Sequence, residues 1–107
     1  MLTATFIFKL NNTQGDYKRL DDEIMRRAEV TVGYLGKEKW LSPAGDQIRV
    51  IYYFETKEAL MHFSRDEVHQ EAKSRQAEWY DGYRVEIAEI TGSWGDGRLD
   101  SPIATKL

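Results

Sequence analysis

The side chains able to move a proton or hold an ion are few: two histidines, His62 and His69, and an amide pair, Asn11-Asn12. The histidines stand seven residues apart. On a continuous helix that is about 10 Å, too far to share one ion at bonds of about 2 Å unless the chain bends at Ser64-Arg65-Asp66. No metal is therefore expected. An imidazole titrates near neutral pH, so His69 suits a general base or a hydrogen-bond partner in a pocket, against a plain surface or capping role. Asn11 or Asn12 suits a donor to a developing oxyanion, although an amide pair just before Gly15-Asp16 also fits simple turn geometry. Trp40, Tyr52, Tyr53, Phe54, Phe63 and Trp79 form an aromatic set able to line a pocket for a flat ligand, or equally an ordinary core or interface. Asp21-Asp22-Glu23 and Asp66-Glu67 fall where helices begin, and there acids complement the macrodipole.

The elements that must position these groups belong to one compact domain. The chain has 107 residues, 41% hydrophobic and 12% aromatic, enough to close a core of its own. Its formal charge of -3 provides no field for nucleic acid or an anionic membrane. No segment approaches the ~20 apolar residues of a membrane span. The first nine residues lack the basic start and long apolar run of a signal peptide, so a cytoplasmic location is expected. With Cys 0, disulfides and thiolate chemistry are excluded.

Residues 3–10 alternate Ala4, Phe6, Phe8 and Leu10 with Thr5, Ile7 and Lys9, the period of a strand. After a turn-rich break, Tyr17, Leu20, Ile24 and Ala28 make a helical stripe that the 31–33 segment ends, with Asp22–Arg26 and Glu23–Arg27 as supporting pairs. Two strands over 34–41 and 47–54 flank the Pro- and Gly-bearing turn 42–46, predicting an antiparallel hairpin. Thr56 can cap a helix through Ala59, Leu60 and Phe63, and Val68, Ala72 and Trp79 continue a stripe to about Tyr80, as one kinked helix or two. Gly82 is expected to end it, before a last strand over 83–91. The order β-α-β-β-α-β predicts an α+β, ferredoxin-like domain over residues 1–94, with a four-stranded antiparallel sheet, two helices on one face and an irregular tail over 95–107. Three strands keep apolar residues at both parities. Ile7, Ile51, Tyr53, Ala88 and Ile90 would line the uncovered face, which predicts a homodimer. Trp94 is placed to pin the tail onto the fold or the partner subunit.

Three stretches then resemble the antibiotic biosynthesis monooxygenase family. Val32-Gly33-Tyr34-Leu35-Gly36-Lys37-Glu38 resembles the "PGFLG-E" opening of its second strand. Ile51-Tyr52-Tyr53-Phe54 with Glu58-Ala59-Leu60 is similar to its aromatic strand end and helix start. Phe63…Val68-His69-Gln70-Glu71-Ala72…Glu78-Trp79-Tyr80…Tyr83-Arg84-Val85 resembles the "W…EH..A…WY..Y.V" pattern of its small stand-alone members. The resemblance covers residues 3–94. It implies a dimeric α+β barrel and a cofactor-independent monooxygenase, or related enzyme, acting on a small aromatic or quinone-like molecule. In that chemistry the deprotonated substrate donates the electrons, and the protein supplies a base, an anion-stabilising donor and a dry cavity. The resemblance ranks His69 above His62 as the base, with Asn11 as donor and Trp40, Tyr52, Phe54, Phe63 and Trp79 around the ligand. A non-catalytic ligand-binding or regulatory dimer is the alternative. The family's heme degraders are a further one. They use an Asn at the end of the first strand, a Trp in the second helix and an axial His ten residues beyond it. Here Phe63 takes the Trp position and Lys73 the His position. A protonated lysine has no lone pair for iron, and His69 lies one helical turn away, so no cofactor is expected.

Overall fold

The computed structural model describes residues 1–10, 16–66, 70, 73 and 79–103. They run β1 (Leu2–Leu10), α1 (Asp16–Glu29), β2 (Tyr34–Leu41), β3 (Ile48–Phe54), α2 (Lys57–Ser64) and β4 (Tyr80–Glu89). The strands form one antiparallel sheet in the order β2-β3-β1-β4. This is the ferredoxin-like α+β arrangement that the alternation of periods two and 3.6 predicts.

Local chemistry accounts for the elements. Leu20 and Ala28 are buried on α1, with Ile24 and Met25 packed against the same core. Arg27 pairs with Glu23 as the spacing predicts, at 3.5 Å, but Arg26 takes Glu23 at three residues' distance, and Asp22 takes Lys18. The 42–46 turn closes through Gly45 N donating to Ser42 O at 2.8 Å and Ser42 N donating to Gln47 O at 3.0 Å. Thr56 caps α2, its hydroxyl accepting from Ala59 N at 3.1 Å. Arg65 stops α2 one residue past Ser64, while Gln70, Lys73 and Trp79 are again helical.

The core lies between the helices and one sheet face, around Ala28, Phe54, Ala59, Leu60 and Phe63. On that face Ala4, Phe6 and Phe8 alternate with their partners Tyr52, Val50 and Ile48 on one side and Ile87, Val85 and Tyr83 on the other. α1 lies over β2, and α2 over β1 and β3. Among the described residues the helices make their main contacts on β1, β2 and β3. Val85 and Ile87 therefore remain 56% and 55% exposed, although their parity puts them on the core face.

Two sequence expectations change here. Gly82 does not end a helix, because the strand already begins at Tyr80 and Gly82 sits inside it at φ +147°. Trp94 does not pin the tail to the fold, since it is 91% exposed and its ring lies over Gly92. The tail touches down at Pro102 and Ile103 instead. Ile103 is buried, and Pro102 sits so close above Gly36 that a Cβ there would stand 3.0 Å from the proline ring. Residues 90–103 form no helix or strand.

Candidate functional site

Phe6, Phe8, Tyr80 and Tyr83 gather on the helix side of the β1–β4 pair. Tyr80 meets Phe6 edge-on at 5.2 Å and Phe8 at 5.0 Å, and Tyr83 meets Phe6 edge-on at 5.8 Å. Phe6 and Phe8 lie 4.9 Å apart, and buried Trp79 closes the cluster at 6.3 Å from Tyr80. Edge-to-face rings of this kind contribute roughly 0.5–1.5 kcal/mol per pair beyond their buried area.

A bulge makes the cluster. Leu10 pairs with Tyr80 and Phe8 with Tyr83, so Asp81 and Gly82 oppose the single residue Lys9. The extra residue reverses the alternation, and two tyrosines three positions apart share one face. The positive φ of Gly82 suits this conformation, and a Cβ there would meet nothing within 4 Å. Period-two reading misses the cluster for that reason. The available signal was a glycine two residues into an aromatic strand. Beyond the rings, half-exposed Tyr83, Val85 and Ile87 continue an apolar floor along β4.

The structure separates the sequence candidates. Phe54 and Phe63, 5.5 Å apart, are closed core, with Tyr52 tilted against Phe63 at 5.6 Å. Trp79 borders the new cluster from beneath. Trp40 belongs to neither group. A register shift at Tyr34/Gly36 pairs it with Arg49, on the sheet face opposite Tyr52, where it is 58% exposed. His69, Asn11 and Asn12 lie outside the described residues. Lys73, the residue at the heme-ligand position, donates its Nζ to the Ser64 hydroxyl at 3.0 Å. His62 is exposed on the outer face of α2, beside an open hollow of about 700 Å³ that it lines with Lys57, Glu58, Met61, Arg65 and Asp66. That hollow is charged and does not border the aromatic cluster. No group of three or more metal-ligating side chains occurs among the described residues.

The open face differs from the reading of its pattern. Ile7 is already buried, Ile51, Tyr53 and Ile90 are half-buried, and only Ala88 is exposed. Tyr53 donates its hydroxyl to the Glu38 carboxylate. Burial first, then that carboxylate, pushes its pKa up to about 12. The folded chain thus holds this proton more tightly than the unfolded chain, whose tyrosine titrates near 10. The resulting stability is complete below pH ~10 and is lost as pH rises through about 12. Titration of the tyrosinate absorbance should show one late-titrating phenol, which Glu38→Gln moves back toward 10. A titration unchanged by Glu38→Gln would remove the carboxylate from the explanation.

On the side of α1 that faces β2, burial raises the pKa of Asp21 despite Lys37 and Lys39 nearby. No helix of the described residues is long and apolar enough to cross a membrane.

The fold recurs in solved structures of low identity. Rv0793 from Mycobacterium tuberculosis superposes with a TM-score of 0.74 at 10% identity, covering 88% of this chain and 98% of that one. A candidate antibiotic biosynthesis monooxygenase from Deinococcus radiodurans gives 0.73 at 8% identity, covering 89% and 97%. SnoaB, a cofactor-independent oxygenase from Streptomyces nogalater, gives 0.71 at 5% identity, covering 86% and 94%. Such identities speak to the fold alone. No curated protein matches by sequence. The sequence profile of the monooxygenase af470-like family, by contrast, matches residues 7–88, from β1 through nearly all of β4. With that match spanning most of the chain and the fold agreeing throughout, this protein belongs to the af470-like monooxygenases, a family of the antibiotic biosynthesis monooxygenase type.

Proposed function

We propose that the chain is a cofactor-independent monooxygenase of a small aromatic or quinone-like molecule, acting as a homodimer. The observation that carries this reading is the aromatic cluster of Phe6, Phe8, Tyr80 and Tyr83, open along the β4 floor. A flat substrate stacks on such rings, and phenolic hydroxyls are donors to an oxyanion as it forms. Family membership and the likeness to a cofactor-independent oxygenase support the reaction type. His69 takes the substrate proton, and Asn11 is a second donor. The deprotonated substrate then reduces dioxygen, one oxygen atom entering the ring system and the other leaving as water.

Oxygen consumption by the purified protein, with anthrones and quinols and no added metal or flavin, tests this. Turnover above the protein-free rate is expected, falling about a hundredfold in His69→Ala, the typical cost of a lost general base. Rates equal to the blank across the panel, or unchanged in His69→Ala, would overturn it. A non-catalytic binding module is favoured by one observation. Phe54, Phe63 and Trp79, each named as pocket-lining candidates, are packed as core. That reading expects quinols to quench tryptophan fluorescence without consuming oxygen. Dimerisation through the open faces, where Trp40 is exposed, expects light scattering to give about twice 12.5 kDa.

A further inference from the structure

The outer face of α2 carries basic side chains that the fold leaves unpaired. Lys57, Met61 and Arg65 follow one another at four-residue steps and so stand in one stripe, with His62 beside Met61. Arg65 keeps this place although it caps the helix, because its backbone is still helical at φ -92° and ψ -1°. Lys57, His62 and Arg65 are exposed, and Met61 is half-buried. Among the described residues no hydrogen bond or ion pair engages the side chains of these three bases. α1 is the contrast, since its Lys18, Arg26 and Arg27 are each tied to a carboxylate.

The stripe borders the open hollow of about 700 Å³, a size that holds a small organic molecule. Two carboxylates also line it, Glu58 and Asp66. Asp66 is already engaged, because Arg27 of α1 donates to it at 3.3 Å. Two cations and an imidazole therefore face one remaining carboxylate. Lys57 and Arg65 lie about 12 Å apart along the axis, with the Met61 thioether between them. His62, three residues before Arg65, is its neighbour on the helix surface, so imidazole and guanidinium converge on one anionic group. The guanidinium fork matches two oxygens of a carboxylate or phosphate.

We infer that this hollow binds a small organic dianion. One carboxylate or phosphate group sits on His62 and Arg65, the other on Lys57, and an apolar body lies against Met61. The site occupies the side of α2 opposite Ala59, Leu60 and Phe63, which face the core, and it does not rest on the activity proposed above.

Benzene-1,4-dicarboxylate, benzoate and inorganic phosphate are the probes, titrated into the isotope-labelled full chain at low salt while the α2 amide resonances are followed. The dicarboxylate is expected to bind about tenfold or more tighter than benzoate, because it alone engages both ends of the stripe. Lys57→Gln should bring the dicarboxylate to the benzoate level and leave benzoate unchanged. Arg65→Gln should weaken both about tenfold. Lys18→Gln, on α1, should change neither. Phosphate binding tighter than benzoate and weakened by Arg65→Gln assigns that end to a phosphate group, and weaker binding assigns it to a carboxylate. Lys57 and Arg65 are exposed, so the fold survives both changes. Equal affinities for dicarboxylate and benzoate, affinities unmoved by Lys57→Gln and Arg65→Gln, or α2 resonances that stay fixed up to about 10 mM probe would each overturn the site. None of these results bears on oxygen consumption, which tests the proposed activity separately.

Discussion

Replacing Phe54 by alanine is expected to remove about 3–5 kcal/mol of folding stability, the usual cost of deleting a fully buried phenylalanine. Phe54 has no exposed surface. It shares one cluster with Ala28 of α1 and with Ala59, Leu60 and Phe63 of α2, and its ring meets Tyr34 at 5.7 Å and Phe63 at 5.5 Å. Sheet and both helices therefore lose contact with one another at a single point. Stabilities of domains this size run to roughly 5–15 kcal/mol, so the variant should unfold at a much lower urea concentration, with an unchanged slope. Val32→Ala is the control. Val32 is 92% exposed, and surface changes of this kind stay within about 0.5 kcal/mol. If the two midpoints shifted equally, Phe54 would not be the point where the layers meet.

The second large effect is expected from a methyl group. Gly33 stands at φ +92°, and a Cβ there would lie 2.7 Å from the Ala59 Cβ. Ala59 is buried in the first turn of α2, held by its backbone bond to the Thr56 hydroxyl. Gly33 is held in turn by its carbonyl, which accepts from Glu55 N at 2.7 Å. Neither neighbour is the end of a flexible side chain, so the overlap must move backbone. Gly33→Ala combines backbone strain of about 1–3 kcal/mol with overpacking of similar size. The expected loss is about 2–6 kcal/mol, measured by the same denaturation. Gly45→Ala separates the two causes, because Gly45 has φ +76° but open space around it. It should show the backbone cost alone. Equal losses at the two positions would mean that the close approach of Gly33 to α2 is relieved without strain.

The two positions differ in how far their roles were legible. Phe54 shares the parity of Val50 and Tyr52, so its side of the sheet was legible, but the strand is apolar at both parities and whether Phe54 lines a pocket or closes the core was not. Gly33 could be read as a helix terminator, but its approach to Ala59 joins residues 26 positions apart. Spacing along the chain carries no such distance.

The candidate site shows the same division. The strands, the α1 stripe, the Thr56 cap and the 42–46 turn were legible because each depends on interactions within a few residues. So was the aromatic endowment of the chain. Its sorting was not. Two register shifts decide it, one between Tyr34 and Gly36 that turns Trp40 to the open face, the other opposite Lys9 that brings Tyr80 and Tyr83 together over Phe6. Each is a single extra residue in a ladder, and one residue is enough to exchange faces.

From its own residues the chain determines its elements, their order, its antiparallel sheet and its lack of thiol chemistry, since these follow from period, turn chemistry and composition. Only the tertiary structure decided which apolar side chains stay uncovered. Among the described residues α1 lies over β2 and α2 over β1 and β3, and the tail seats Pro102 over Gly36 while Trp94 stays 91% exposed. Coverage depends on where a helix axis lies over a sheet. That position is set by contacts between residues distant in sequence, which no local pattern encodes.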